Sequence, residues 1–436
     1  MKKKKDKRNL IKKVVIGCIA IVLIELIAML AVKIFRERGI DHVDALNDLI
    51  KVDDGYIAVG VSDFDDSKDV NQKIYEYTDS ATNKKSNIIA NQSKIAKYDN
   101  DYNLVWENTY DNLYDSTFYS VINVSDGYIA VGSLVGKYEQ IEVNTRDALI
   151  VKYDLNGKMI WYKTYRVLSD TEFYKVIDDG DDNYVVIGQS IYENMEMGTH
   201  TTGGGIIVRY DKDGNVLAHN NYGGNKSGSF NDIIKVSDGY IVCGKDATNY
   251  GIVLKFKKDF NRDEKDTELI TKKLVWQRTY ANTDDIGFSA MVLNKDIIYL
   301  VGAINISNEK DENDNIKFQY DAGIVLYNTN GKYLGKYSLE DKTYHRFTSV
   351  ILEDNNLILS GLLDYNGVYK GNKQDSMIIK FNLDDKKFID KDLFQEKNDY
   401  IINKIVMLDQ KIIVGSSKSK CSLYGCEYEP IIKEYK

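Results

Sequence analysis

From residue 46 onward, short apolar runs alternate with polar turns, and the runs come in groups of four. The group beginning at Phe118 is the clearest. Phe118–Val124 is followed by Ser125-Asp126-Gly127, Tyr128–Gly132, a longer polar stretch, Ala148–Tyr153, Asp154-Leu155-Asn156-Gly157 and Lys158–Tyr165. Runs of five to eight residues are strand length, and turns with Asp-Gly and Asn-Gly tolerate the positive φ of tight hairpins. Tyr128-Ile129-Ala130-Val131 is apolar throughout, as expected for a strand covered on both faces.

The group repeats. Strands ending in glycine recur at Gly60, Gly132, Gly188, Gly244, Gly302, Gly361 and Gly415, spaced by 72, 56, 56, 58, 59 and 54 residues. Fourteen residues earlier stand Leu46, Phe118, Phe230, Phe288, Phe347 and Ile401, and Phe173 stands one further back from its glycine. Third strands recur as Ile95–Tyr98, Ile207–Tyr210, Val253–Phe256 and Ile378–Phe381. Fourth strands carry Trp106 with Tyr110, Trp161 with Tyr165, and Trp276 with Tyr280. Alone, such pairs could stack on a ligand; their repetition reads as packing between units. A period near this length marks propellers or solenoids. The expectation is an all-β, seven-bladed β-propeller of four-stranded blades over residues 45–436, with a last blade that is three-stranded or closed by a short N-terminal strand.

The phrase Lys152-Tyr153-Asp154-Leu155-Asn156-Gly157-Lys158-Met159-Ile160-Trp161 resembles the repeat of quinoprotein-type propellers. The whole unit, with its Asp126–Gly132 strand, resembles the β-propeller repeats of secreted and surface bacterial proteins. The resemblance covers the repeat region and implies a fold, not an activity. A quinoprotein dehydrogenase would imply a quinone and calcium on the axis. The chain has neither the adjacent cysteine pair of those enzymes nor an identifiable acidic ligand set, so no cofactor is expected.

The first 44 residues break the pattern. Residues 1–13 hold seven lysines and Arg8 against Asp6, a net +7 that leaves −15 on the rest of a chain of net charge −8. The nineteen residues Val14–Val32 are apolar except for Glu25. As a helix they would measure about 28 Å, close to the hydrocarbon thickness of a bilayer. The expected organisation is a basic cytoplasmic tail (1–13), a transmembrane helix (14–34), a short linker (35–44) and the propeller (45–436) on the outer side, by the positive-inside rule. A cleaved signal competes, although the apolar run is long and ends without a small-residue cleavage site. A lipoprotein signal at Val15-Ile16-Gly17-Cys18 also competes, with too few apolar residues before the cysteine. Glu25 is either tolerated by its neighbours or a contact for another membrane helix.

Candidate chemistry is sparse. His42, His200, His219 and His345 show no metal spacing. Gly203-Gly204-Gly205 enters a third strand. Asp99-Asn100-Asp101 and Asp211-Lys212-Asp213-Gly214 resemble the opening of a calcium loop, but occupy a repeated hairpin turn and lack the closing Glu. Asp63, Asp65, Asp66 and Asp69 form an acidic loop and a weaker calcium candidate. Cys243 sits beside Gly244 in a strand, and Cys421 and Cys426 flank Ser-Leu-Tyr-Gly, which points to a disulfide if the loop lies in an oxidising place.

An acidic body disfavours nucleic acid, which needs a basic footprint. The expected role is a membrane-anchored, cell-surface binding or scaffold module for protein or glycan partners of the envelope. The alternative is an extracytoplasmic enzyme acting on carbohydrate or peptide at an axial site. The turns between strands one and two, and three and four, are short and should share one rim. The longer connections 61–94, 133–147, 189–205, 303–321, 362–376 and 416–429 should gather on the other, where partner contacts are expected.

Overall fold

The computed structural model describes residues 45–435 apart from 63–73, 79–84, 90–91, 111–114, 138–143, 168–169, 195–198, 223–227, 247, 249, 261–272, 282, 308–318, 341–344, 363–375, 390–399, 409–410 and 423–424. The first blade is built from Ala45–Val52 (β1), Gly55–Ser62 (β2), Gln92–Tyr98 (β5) and Leu104–Thr109 (β6), with a separate hairpin, Ile74–Thr78 (β3) and Lys85–Ile89 (β4), inserted before β5. The second holds Ser116–Val124 (β7), Gly127–Lys137 (β8), Asn144–Asp154 (β9) and Met159–Tyr165 (β10). The third holds Asp170–Gly180 (β11), Asn183–Asn194 (β12), Thr199–Tyr210 (β13) and Val216–Tyr222 (β14). The fourth holds Ser229–Val236 (β15), Gly239–Lys245 (β16), Gly251–Lys257 (β17) and Leu274–Tyr280 (β18). The fifth holds Thr283–Asn294 (β19), Ile297–Asn305 (β20), Tyr320–Asn328 (β21) and Tyr333–Ser338 (β22). The sixth holds Arg346–Glu353 (β23), Asn356–Leu362 (β24), Ser376–Asn382 (β25) and Lys387–Ile389 (β26). Each is an antiparallel meander from inner to outer strand. A final three-stranded sheet holds Tyr400–Leu408 (β27), Lys411–Ser422 (β28) and Gly425–Tyr435 (β29), and β27 lies against both β23 and β1.

The expected seven-bladed propeller headed by a transmembrane helix is therefore corrected. The propeller has six four-stranded blades, and the last repeat contributes a three-stranded sheet with no fourth strand among the described residues. A register glycine marks the second strand of a unit, so counting glycines counts sheets and is silent on whether an outer strand exists. The other expected closure, by a short N-terminal strand, falls on residues 35–44, outside the described residues, as does the expected span 14–34. Among the described residues every element is a strand, and no helix is long and apolar enough to cross a membrane.

The register glycines follow from a bulge. The inner strand of each sheet slips by one residue, between Phe118 and Ser120, for instance, and likewise at 46/48, 173/175, 230/232, 288/290, 347/349 and 402/404. Such a bulge bends the strand toward its neighbour. A Cβ on Gly132 would lie 1.8 Å from the Thr117 carbonyl oxygen, and one on Gly188 1.8 Å from that of Glu172. In the last sheet Ile402 opposes Ser416, one residue away from the expected Ile401 and Gly415 pairing.

The core lies between blades. The phenylalanine before the bulge in blades two to six is buried, and in three of them the tyrosine ending the previous outer strand packs on it: Tyr165 on Phe173 at 5.8 Å, Tyr222 on Phe230 at 6.0 Å, Tyr280 on Phe288 at 6.0 Å. Trp161 donates to Lys212 O (3.2 Å) and Trp276 to Thr329 O (3.1 Å), each crossing to the next blade. Each also covers the glycine of that turn. Gly157, Gly214 and Gly331, with φ of +79°, +77° and +78°, have no room for a Cβ beneath Trp106, Trp161 and Trp276. The expected packing role of these aromatics holds.

Several expected long connections are themselves ladders. In the second and third blades, the pairing of the middle strands runs three residues past the inner strand, to Lys137–Asn144 and Asn194–Thr199. In the last sheet it runs four further, to Ser422–Gly425. These ribbons leave the rim opposite the short turns, the rim on which the inner strand β1 also begins.

Candidate functional site

The residue following each bulge forms a ring on the seven inner strands: Asp48, Ser120, Lys175, Asp232, Ala290, Ser349 and Lys404. Asp48 on β1 reaches Lys404 Nζ on β27 at 3.2 Å and Lys175 Nζ on β11 at 3.6 Å. A contact that skips a whole blade requires these inner strands to converge on a common axis. Asp48 also accepts from Ser120 Oγ (2.9 Å), Val121 N (3.1 Å) and Leu49 N (3.1 Å). Burial opposes its charge, but the two lysines and these donors outweigh it and hold its pKa at about 2, against an ordinary 3.8.

A rule of succession runs through the ring. Three of the ring residues take the N–H of the third residue after the next blade's aromatic: Asp48 takes Val121 N, Ser120 takes Val176 N (3.5 Å) and Asp232 takes Met291 N (2.8 Å). Lysine cannot accept. After each lysine comes an aspartate that serves its own following N–H, Asp48 for Leu49 and Asp232 for Ile233 (2.9 Å). Asn47 and Asn231, in the bulges themselves, donate to Phe118 O and Phe288 O of the next blade, each at 2.8 Å.

Lys175 and Lys404 differ. Burial pushes Lys175 down, and Lys404 beside it pushes the same way, against the pull of Asp48 and Asp232. Burial also opposes the charge of Lys404, but Asp48 and Asp232 outweigh it and raise its pKa. The two amines flank the same Asp48 carboxylate. Their side chains are 23% and 26% exposed, so water reaches this part of the axis.

A second polar cluster lies on the ribbon rim between blades two and three. Glu172 accepts from Tyr174 Oη (2.7 Å), Arg146 Nη1 (2.8 Å), Gln189 Nε2 (2.9 Å) and Ser133 Oγ (3.5 Å). Arg146 N donates to Asp170 (2.7 Å), and Arg166 pairs with Asp147. Burial raises the pKa of Asp170 and, with the charge of Glu172, those of Tyr119 and Tyr174. Nothing in the sequence pattern singled out Glu172; it sits one residue before an aromatic that the repeat explains.

On the opposite rim buried Asp179 accepts from Tyr240 Oη at 2.5 Å and pairs with Arg209 at 2.5 Å and Lys235 at 3.4 Å, tying blade three to blade four.

The residues singled out from sequence fall apart. Asp211 accepts from Asp213 N and Asn215 N (2.9 and 2.8 Å), and Asp99 likewise from Asp101 N and Asn103 N, so these carboxylates cap their own turns. The run Gly203–Gly205 lies within β13, where Gly205 makes room for Phe230 of the next blade. His219 meets Tyr165 Oη at 2.8 Å, and His345 is buried. Cys243 is buried, which pushes its thiol well up. Glu25, His42 and Asp63, Asp65, Asp66 and Asp69 lie outside the described residues. The backbone sets Cys421 directly opposite Cys426 in the β28–β29 hairpin. Among the described residues no group of three metal-ligating side chains converges.

No protein-family model matches the chain, and no curated protein matches it in sequence. Among solved structures, the WD40 domain of Pan2 from Neurospora crassa overlaps with a TM-score of 0.44 at 10% identity, over 85% of this chain and 95% of that one. The dihydro-heme d1 dehydrogenase NirN, in complex with DHE, gives 0.43 at 9%, over 83% and 67%. MPT-4, a mannose phosphorylase from Leishmania mexicana in complex with a phosphate ion, gives 0.29 at 10%, over 62% and 85%. Overlaps this loose carry no argument about function, and the assignment of a propeller rests on the chain's own ladders.

Proposed function

We propose that the chain is a binding or scaffold module for protein or glycan partners at the cell envelope, working through its ribbon rim. One observation carries this reading. The extended middle strands of blades two and three and of the last sheet project from a single rim, whereas the repeated aromatics are committed to joining blades and the turn carboxylates to capping their own turns. Rigid ladders carrying short variable tips suit recognition. The net −15 outside the basic tail argues against nucleic acid. The basic run 1–13 and the apolar run 14–32 support a cell-membrane location with the propeller outside the cytoplasm. Because β1 starts on the ribbon rim, a tether there would turn the ribbons toward the membrane or toward a membrane-bound partner.

The same location supports a Cys421–Cys426 disulfide. In a two-residue hairpin closed by Ser422 and Gly425, the next pair is non-hydrogen-bonded, and its Cα atoms approach to about 4.5 Å. That is within the range a disulfide spans. Unreduced, unfolded full-length protein should show two free thiols, Cys18 and Cys243; four would exclude the bond.

The test of function uses full-length protein in detergent micelles against envelope proteins and a glycan array. Replacing the tips 138–143 and 195–198 with Asn-Gly turns should abolish captured partners that survive Asp126→Ser in the short turn. Equal retention by both variants would remove the ribbon rim from consideration.

A further inference from the structure

The axial ring contains a residue that its packing role does not explain. At Asp48, Ser120 and Asp232 the ring side chain accepts an N–H from the following blade. Lys175 cannot, and Ile233 N must turn to its own Asp232. Serine, as at Ser120, would have kept the staple.

Lysine brings instead a second amine to Asp48, the carboxylate that Lys404 already pairs with, while Asp232 acts on both from further off. Asp48 lies nearer Lys404 (3.2 Å) than Lys175 (3.6 Å), and its remaining contacts are given to backbone and Ser120. Asp232 spends its oxygens on Ile233 N and Met291 N. The Lys175 amine therefore has the weaker claim on a counter-charge, a cationic neighbour on the same carboxylate, and access to water.

We propose that Lys175 is a reactive axial amine that captures small carbonyl compounds, aldehydes or ketones including open-chain sugars, as Schiff bases. A desolvated lysine beside a second cation is a recognised way to keep an amine unprotonated near neutrality. The downward shift of Lys175 and the upward shift of Lys404 divide the protons accordingly. The free amine attacks the carbonyl carbon, and a proton moves from nitrogen to oxygen to give a carbinolamine. Its C–O bond breaks with loss of water as the C=N bond forms. Lys404 is placed to protonate the departing hydroxyl and recover its proton from solvent. No oxidant or reductant is consumed.

The groups facing Lys175 are Asp48 on β1, Ser120 on β7, Asp232 on β15 and Lys404 on β27, so reactivity should follow pH through that set. The test treats full-length protein in micelles with glycolaldehyde and sodium cyanoborohydride at pH 7, the hydride trapping the imine as a secondary amine. Mass spectrometry then gives the labelling rate at each lysine. Lys175 should label severalfold faster than exposed Lys158, since a fall in an amine's pKa gives more free base at a given pH. Its labelling should also reach half-maximum at lower pH than that of Lys158. Lys404→Met should slow Lys175 labelling at pH 7, because Asp48 then pairs with Lys175 alone; melting curves confirm that the variant is folded. If wild-type Lys175 labels no faster than Lys158, the proposal fails, and that comparison needs no variant. Equal Lys175 rates in wild type and a folded Lys404→Met variant would equally overturn it.

Discussion

On the outer strands, Trp106, Trp161 and Trp276 do one thing three times: each covers the glycine of the next blade's turn. Asp99, Asp154 and Asp211 likewise cap the same turn by the same pair of backbone hydrogen bonds. The ring on the inner strands occupies an equally regular backbone position, yet its seven members are of four kinds: Asp, Ser, Lys and Ala. Both regions join neighbouring blades. The difference teaches where a repeat protein keeps its individuality. A position that holds the same residue in blade after blade reports the fold; one that is geometrically constant but chemically varied is free to carry something else.

The comparison can be broken most forcefully at Asp48. Asp48→Ala leaves Lys404 and Lys175 without their shared carboxylate and Val121 N without its acceptor. The expected loss is about 3–5 kcal/mol, as for other buried pairs deprived of one partner. Ser349→Ala, at an uncharged ring position, should cost about 1 kcal/mol or less. Denaturant melts of the two variants decide the matter. Equal losses would mean that the ring is uniform after all, whatever its residues.

The same site sets an acid limit. A carboxylate whose folded pKa lies below its unfolded value contributes stability that is complete above the unfolded value and disappears as pH falls through the folded one. For Asp48 that window runs from about 4 to about 2, and the shift from 3.8 to about 2 is worth about 2 kcal/mol. Stability measured from pH 5 to 2 should therefore fall less steeply in Asp48→Asn than in wild type. Parallel curves would show that other carboxylates control acid unfolding.

A smaller effect is expected outside. Trp276→Phe keeps an aromatic ring over Gly331 but removes the bond to Thr329 O. The loss should be about 1 kcal/mol, the net value of one hydrogen bond. Trp161→Phe should match it, because the outer device is the same part used again.

This contrast also explains what could be read from sequence. The repeat showed itself because identical steric demands recur: a glycine under each bulge, an aromatic before it, a Trp four residues before a Tyr. Those demands are local, so strands, turns and packing aromatics were legible. The number of complete blades was not, because the glycine register is written in the inner two strands alone. Nor were the ribbons, since Thr199-His200-Thr201-Thr202-Gly203 lacks the apolar runs of a buried strand and pairs only through its backbone. The axial cluster was hidden for another reason. Asp48, Lys175 and Lys404 are far apart in sequence, and each lies in a different strand among other polar residues that the pattern does not distinguish from it. They become a site only when a bulge repeated seven times turns its following residue onto one axis.

The weakest expected effect is the sharpest check on reading repetition as importance. The outer strands also repeat exposed apolar residues: Val105, Ile160, Leu217, Val275, Leu334 and Ile389, between 36% and 55% exposed. By position they are as regular as the tryptophans, but about half of their surface stays in water, so folding recovers less apolar area from them than from a core side chain. Their recurrence reflects the preference of strands for β-branched and large apolar side chains. Ile160→Thr and Leu217→Thr should each change stability by less than about 0.5 kcal/mol, the usual range for exposed sites. A loss above about 1 kcal/mol in either would show that this face is buried in the folded protein's working state. Melts at several protein concentrations would then show whether a second copy does the burying, since only self-association makes the midpoint depend on concentration.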